Sequence, residues 1–289
     1  MSSTMISVGK IFNAHKPAIS LNILLCVIEI ALTALIPLFI GFTIDGLLAG
    51  KSQELMILVT ILVFLVVVSV IRRFYDTRAY GKIRVGVMAD LAKLNCHLPV
   101  STLNARLEMG RELVDFLEHK LPEILNAGVQ FIVSLAVLYF LNPMLSATAF
   151  IAALLMMLIY SAFHRDFYQA NGAYNQQAER QVAILAEGSS VNLRNHFTRL
   201  KKLEINLSDR EAVLYGGVFI VLLAMVVSNL WYATSQMAIT AGTIFSIVSY
   251  SWEFVEAAIV LPVTLQSWAR LSEITKRINS ISKGDLDVD

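Results

Sequence analysis

Apolar positions along the chain gather into six runs. They cover about residues 18–44, 55–71, 124–141, 144–163, 212–232 and 240–265. Each is close to the ~20 mostly apolar residues that a helix needs to cross a bilayer core. The second run is short by itself but extends readily at either end. The first follows Lys10, His15 and Lys16, as a secretion signal follows its basic residues, yet it far exceeds the ~7–15 apolar residues of such a signal and reads as a retained span. The connections are lopsided. Residues 45–54, 142–143 and 233–239 make short links, whereas 72–123 and 164–211 are near 50 residues each. Long structureless loops are uncommon in compact proteins. The two long links carry helix signals instead. Good helix formers dominate residues 176–191, with Gly188 as a stop, and Val85, Met88, Leu91 and Ala92 recur at helical spacing ahead of Pro99. The spans are therefore expected to continue as helices, and roughly 25 extra residues would project them about 37 Å.

Composition narrows the class. Of 289 residues, 56% are hydrophobic and 16% charged, against about 25% charged in soluble domains. Disorder is excluded by the hydrophobicity. A disulfide scaffold is excluded by having only two cysteines, and Cys26 and Cys96 fall at different depths. The formal net charge of +1 gives no footprint for nucleic acid. The five histidines lack metal-ligand spacing, so no metal site is expected, and no cofactor.

The basic residues set an orientation. Two precede the first run, nine lie between the second and third, seven between the fourth and fifth, and four follow the sixth. Only Lys51 is left for the opposite side. The positive-inside rule places the larger set, and both termini, in the cytoplasm. A bacterial inner membrane suits this pattern and the low cysteine usage. The expected organisation is one domain over 1–289. It has a cytoplasmic segment at 1–17, six spans with inner hairpins over 18–265, and a cytoplasmic tail at 266–289.

Six spans, small outer loops and two long helical inner hairpins resemble the transmembrane domain of ABC exporters. The string PLFIGFTIDGLL at 37–48 is similar to the end of that family's first helix. LNCHLPVSTLNARLEMGRELVDFLE at 94–118 resembles its first intracellular loop, with a short coupling helix after the "LP". LAEGSSVNLRN at 185–195 sits where a second coupling helix would be. AGTIFSI at 241–247 and the stretch 271–278 resemble the sixth helix and its exit. The resemblance implies an all-α, six-helix fold working as a twelve-helix homodimer. It also implies coupling-helix positions at Leu103, Asn104, Val191 and Asn192. Exporters of this kind usually carry an ATPase domain, whereas here 24 residues follow Leu265. The nearest thing to a phosphate-binding glycine loop, Gly46 to Ser52, has three residues between its glycines where that motif needs four. The expectation is that this chain is not itself an enzyme.

Three acidic residues fall inside the apolar runs: Glu29, Glu253 and Glu256. Every Lys and Arg lies outside those runs, so the carboxylates are expected to have no basic partner at their own depth. An ionised carboxylate alone in hydrocarbon costs several kcal/mol (about 2.5–3.5 on insertion scales). The remedies are a wet cavity, a bound proton or a cationic ligand, and all three belong to a transport path. Helical spacing adds Thr243, Ser246, Tyr250, Thr264 and Ser267 to the glutamates of the sixth run, and Asn22, Cys26 and Thr33 to Glu29. In ABC exporters both helices contribute to the central cavity, so a homodimer would hold six such carboxylates there. The substrate- and proton-binding candidates are thus Glu29, Glu253, Glu256, Tyr250 and Asn22, with cation–π contacts available from Tyr250 and Trp252.

Three functions compete. The first is a proton-coupled transporter moving a cationic peptide, polyamine or drug by alternating access, which also resembles the SbmA/BacA-like peptide-uptake proteins. The second is the membrane subunit of a split ABC transporter, powered by a separate ATPase chain. Against the second, the tract SSVNLRN followed by HFTRLKKLE offers few apolar anchors for docking. The third is a membrane sensor or scaffold that transports nothing.

Overall fold

In the computed structural model, residues 8–260 are described, apart from 95, 97, 98, 187 and 238. The described residues are helical almost throughout and contain no β-strand. In chain order the elements are α1 (Val8–Ala14), α2 (Lys16–Leu48), α3 (Gln53–Leu94), α4 (Val100–Asp115), a π-helical turn (Phe116–Lys120), α5 (Leu121–Leu141), α6 (Pro143–Glu179), α7 (Gln181–Ala186), α8 (Ser190–Gln236) and α9 (Ala241–Val260). Six helical segments are long and apolar enough to cross a membrane. They fall on the six runs read from the pattern, the sixth as far as Val260, the last described residue.

Two helices run far beyond their apolar stretches. The 42 residues of α3 and the 47 of α8 correspond to about 63 and 70 Å, whereas a bilayer core is about 30 Å thick. Pro99 directly precedes α4, as a residue that tolerates the start of a helix but not its interior. The expected helix over 176–191 is broken at Arg180, and α7 ends just before Gly188, whose φ of +66° suits a glycine. Asn142 caps α6 through its side chain, which accepts from the Met144 backbone N–H at 2.9 Å, with Pro143 next in line. A polar cap followed by a proline at the first helical position explains how α6 starts so soon after α5 ends.

The chain forms two compact units. One comprises residues up to Val137 together with those from 238 onward, and the other is Leu138–Met237. In the first unit a core of Ile11, Ile19, Tyr80, Ile83, Val87, Leu91, Leu113, Val114, Phe116 and Leu117 joins α1 to α4 and the π-helical turn. The buried face of α3 thus runs through Tyr80, Ile83, Val87 and Leu91. Val85, expected on the apolar face, is exposed instead. Beside this core Arg84 Nη2 donates to Asp115 Oδ1 at 2.7 Å and to Glu118 Oε2 at 2.5 Å. In the second unit α6 packs on α8, and Thr148 donates to the side-chain oxygen of the fully buried Asn229. A polar pair of this kind joins helices where hydrocarbon offers no other partner.

Candidate functional site

α2 and α9 cross at a pair of glycines. A Cβ on Gly41 would lie 2.6 Å from the Gly242 carbonyl oxygen, and one on Gly242 would lie 2.7 Å from Asp45 Cγ. Only glycine lets the two backbones approach so closely. Above the crossing, Asp45 caps α9 from a different helix. Its Oδ1 accepts from the Gly242 backbone N–H at 2.8 Å, and its Oδ2 accepts from the Thr240 hydroxyl at 2.5 Å. Asp45 reads from sequence as a helix-end or hairpin residue; near the end of α2, it also satisfies an orphan donor of α9.

Below the crossing, Ser246 donates to the Pro37 carbonyl at 3.2 Å, and Tyr250 donates its hydroxyl to the Ala34 carbonyl at 2.7 Å. Pro37 lies inside α2 and has no N–H to offer. The polar stripe of α9 therefore begins as a helix–helix seam. Tyr250 is 0% exposed, and its hydroxyl is committed to α2. Thr264 and Ser267 lie outside the described residues.

The stripe changes character one turn later. Glu253 is half-buried and hydrogen-bonded by Gln130 of α5. Its Oε2 is buried with no hydrogen-bond partner. On the next helical face Phe254 stacks on Phe131 of α5, with ring centroids 4.9 Å apart. Glu256 is exposed, and its Oε1 accepts from Trp252 Nε1 at 2.8 Å. Among the described residues neither Glu253 nor Glu256 has an ion pair.

Glu29 corrects the sequence expectation. It was expected to lack a base, but its Oε2 accepts from Arg72 Nε in an ion pair, and its Oε1 accepts from the Ser69 hydroxyl at 2.5 Å. Arg72 Nη1 reaches Asp76 Oδ2 at 3.3 Å as well. The register of α2 against α3 sets Glu29 level with the end of the apolar run of α3. There a long arginine side chain can reach back along its helix. Asn22 is buried, and its Nδ2 has no partner. Cys26 is buried between Asn22 and Glu29 on the helix, and Thr33 donates to the Glu29 carbonyl at 2.9 Å. The predicted carboxylate trio thus divides into a paired Glu29 and an unpaired couple, Glu253 and Glu256.

A model of the ABC transporter transmembrane region matches residues 8–242. The chain belongs to that family. No curated protein matches its sequence. As an ABC transporter transmembrane region, the chain is an integral membrane protein with a role in membrane transport.

The coupling-helix candidates fall at two bends of this transmembrane region. On α4, Leu103 is half-buried and Asn104 exposed. At the start of α8, Val191 and Asn192 are exposed, with the Ser189 hydroxyl accepting from the Asn192 backbone N–H at 3.4 Å. The bend is less polar than its sequence suggested. Val182 is 76% exposed, Leu185 52% and Val191 66%. Val182 and Leu185 belong to α7, a helix too short to register as an apolar run.

Proposed function

We propose that the chain moves a cationic substrate across the membrane by alternating access, with Glu253 and Glu256 as the cation- and proton-accepting groups. One observation carries this reading: Glu253 Oε2 is buried on a membrane helix without any partner. A carboxylate oxygen in that position gains from a proton or a cation, and its fellow Glu256, nearly one turn on, adds to the negative potential. Proton binding to the pair would discharge the site and release the cation. In this reading the substrate is a peptide, polyamine or drug, a second copy of the chain completes the path, and a bacterial inner membrane is the setting.

Uptake of labelled spermidine and of a fluorescent oligolysine peptide into proteoliposomes under an imposed pH gradient tests it. The variant Glu253→Gln/Glu256→Gln should transport about tenfold more slowly or worse, the loss of one to two charge-assisted contacts. Wild-type rates in that variant would end the proposal.

A second reading, an ATPase on another chain as the motor, is favoured by the exposed Val182, Leu185 and Val191. Apolar side chains at a hairpin bend are what a docked partner would cover. In neither reading does the chain itself hydrolyse ATP. Purification from the native membrane should then bring down a stoichiometric ATPase, and Val182→Ser/Leu185→Ser/Val191→Ser should release it. Pure, partner-free protein that still transports down a proton gradient would decide for the first reading.

A further inference from the structure

The contact between α2 and α3 buries more polar groups than it satisfies. Its register is fixed at two points. The Tyr75 hydroxyl donates to the Ala18 carbonyl at 3.2 Å, and Arg72 pairs with Glu29. Asn22 and Cys26 lie between those points on α2, and Asp76 and Tyr80 continue the buried stripe of α3. All four are at most 5% exposed. Asn22 Nδ2, Asp76 Oδ1 and the Tyr80 hydroxyl are buried without a hydrogen-bond partner. Native interiors leave few such atoms, so three along one pair of helices call for a physical reason.

Charge is unbalanced at the same place. Arg72 is shared between two carboxylates: its Nε pairs with Glu29, and its Nη1 reaches Asp76 Oδ2 at 3.3 Å. Arg73 is exposed and makes no ion pair among the described residues. Glu118 of the π-helical turn also acts on Asp76, but it is held by Arg84 at 2.5 Å. Cys26 and Tyr80 add no charge in their ordinary neutral forms. With both carboxylates ionised, Glu29, Arg72 and Asp76 together hold one surplus negative charge. Its least compensated atom is Asp76 Oδ1.

A buried surplus charge is costly, and uptake of a proton is the usual remedy. A proton needs no cavity, and here it meets two needs at once. It neutralises Asp76, and it turns Oδ1 into a donor. The Tyr80 hydroxyl oxygen, one turn along the same helix face, is an unused acceptor. Asp76 stands five residues past the second apolar run. That is about 7.5 Å along the helix, at the edge of a headgroup layer about 5–7 Å deep. Protons from water reach that depth without crossing hydrocarbon.

We propose that Asp76 is a proton-binding group, in which a proton from hydronium in bulk water adds to Oδ1 and is shared with the Tyr80 hydroxyl, leaving Arg72 to Glu29 alone. The site does not depend on Glu253 or Glu256. An ordinary aspartate has a pKa of about 3.9 and is almost wholly ionised above about pH 5. Infrared difference spectra between about pH 8 and about pH 5.5 therefore isolate an aspartate that binds its proton more tightly. They are recorded on the full chain in phosphatidylcholine nanodiscs, with a heavy-carbon label on the aspartate carboxyls and with Glu253→Gln/Glu256→Gln in place. A protonated-carboxyl band that moves with the label is expected. Asp76→Asn should abolish it, and Asp90→Asn, at an exposed position of the same helix, should leave it intact. Tyr80→Phe keeps the packing of the ring and should shift the band, because the proton loses its acceptor. Absence of a label-sensitive band, a band that survives Asp76→Asn, or a band unmoved by Tyr80→Phe would each overturn the proposal.

Discussion

Arg72→Gln should lower the stability of the first unit by about 3 kcal/mol, a shift of roughly two orders of magnitude in the folding equilibrium. Breaking one side of a buried ion pair strands the other charge, and the usual loss is about 3–5 kcal/mol. The low end applies because the Arg72 and Glu29 side chains are 23% and 21% exposed. Asp76, almost fully buried, loses its contact with Arg72 in the same variant. Equilibrium unfolding in mixed micelles with increasing dodecyl sulfate would read the loss. Glu29→Gln/Arg72→Gln should recover about half of it, because the stranded carboxylate of Glu29 is gone while Asp76 still lacks its partner. A loss in the double variant equal to the sum of the two single losses would mean that the pair contributes nothing. The cycle also bears on function: a paired Glu29 serves the fold, so Glu29→Gln should disturb transport far less than Glu253→Gln/Glu256→Gln.

Gly242→Leu should leave little folded protein at all. A Cβ there runs into the Gly41 carbonyl oxygen and the Asp45 carboxylate, both held by helix backbone or by the cap. Backbone cannot rotate out of the way as a side chain can, so α2 and α9 must separate. Overpacking alone costs about 1–3 kcal/mol. Separation also breaks the Tyr250 and Ser246 hydrogen bonds and the Asp45 cap, at about 1 kcal/mol each. The sum rivals the whole stability of a typical domain. Size-exclusion profiles and thermal aggregation of detergent-solubilised protein would show it. Gly81→Ala is the contrast. A Cβ there meets nothing within 4 Å, and replacing a mid-helix glycine should raise stability by up to about 1 kcal/mol. A well-behaved Gly242→Leu protein would refute the close crossing.

What could be read from the residues divides along a physical line. The six spans, the all-helical class and the family were legible, because hydrocarbon imposes about 20 apolar residues on any crossing helix and leaves a signal in each segment by itself. The same holds for Pro99 and Asn142–Pro143, whose effects are local. The candidate glutamates were legible as exceptions within apolar runs. Their partners were not. Arg72 lies next to the second run in sequence, and only the register of α2 on α3 brings it to Glu29. Tyr250 fitted a polar stripe by spacing, but the crossing at Gly41 and Gly242 turned the upper stripe into a seam and left Glu253 and Glu256 as the unpaired couple. The exposure of Val182 and Leu185, the cap by Asp45 and the orphaned Nε2 of His196 all depend on how the segments fold against one another. Periodicity reports which face of a helix is polar. It does not report what that face meets, and for a charged group in a membrane the thing it meets decides whether it is structural or functional.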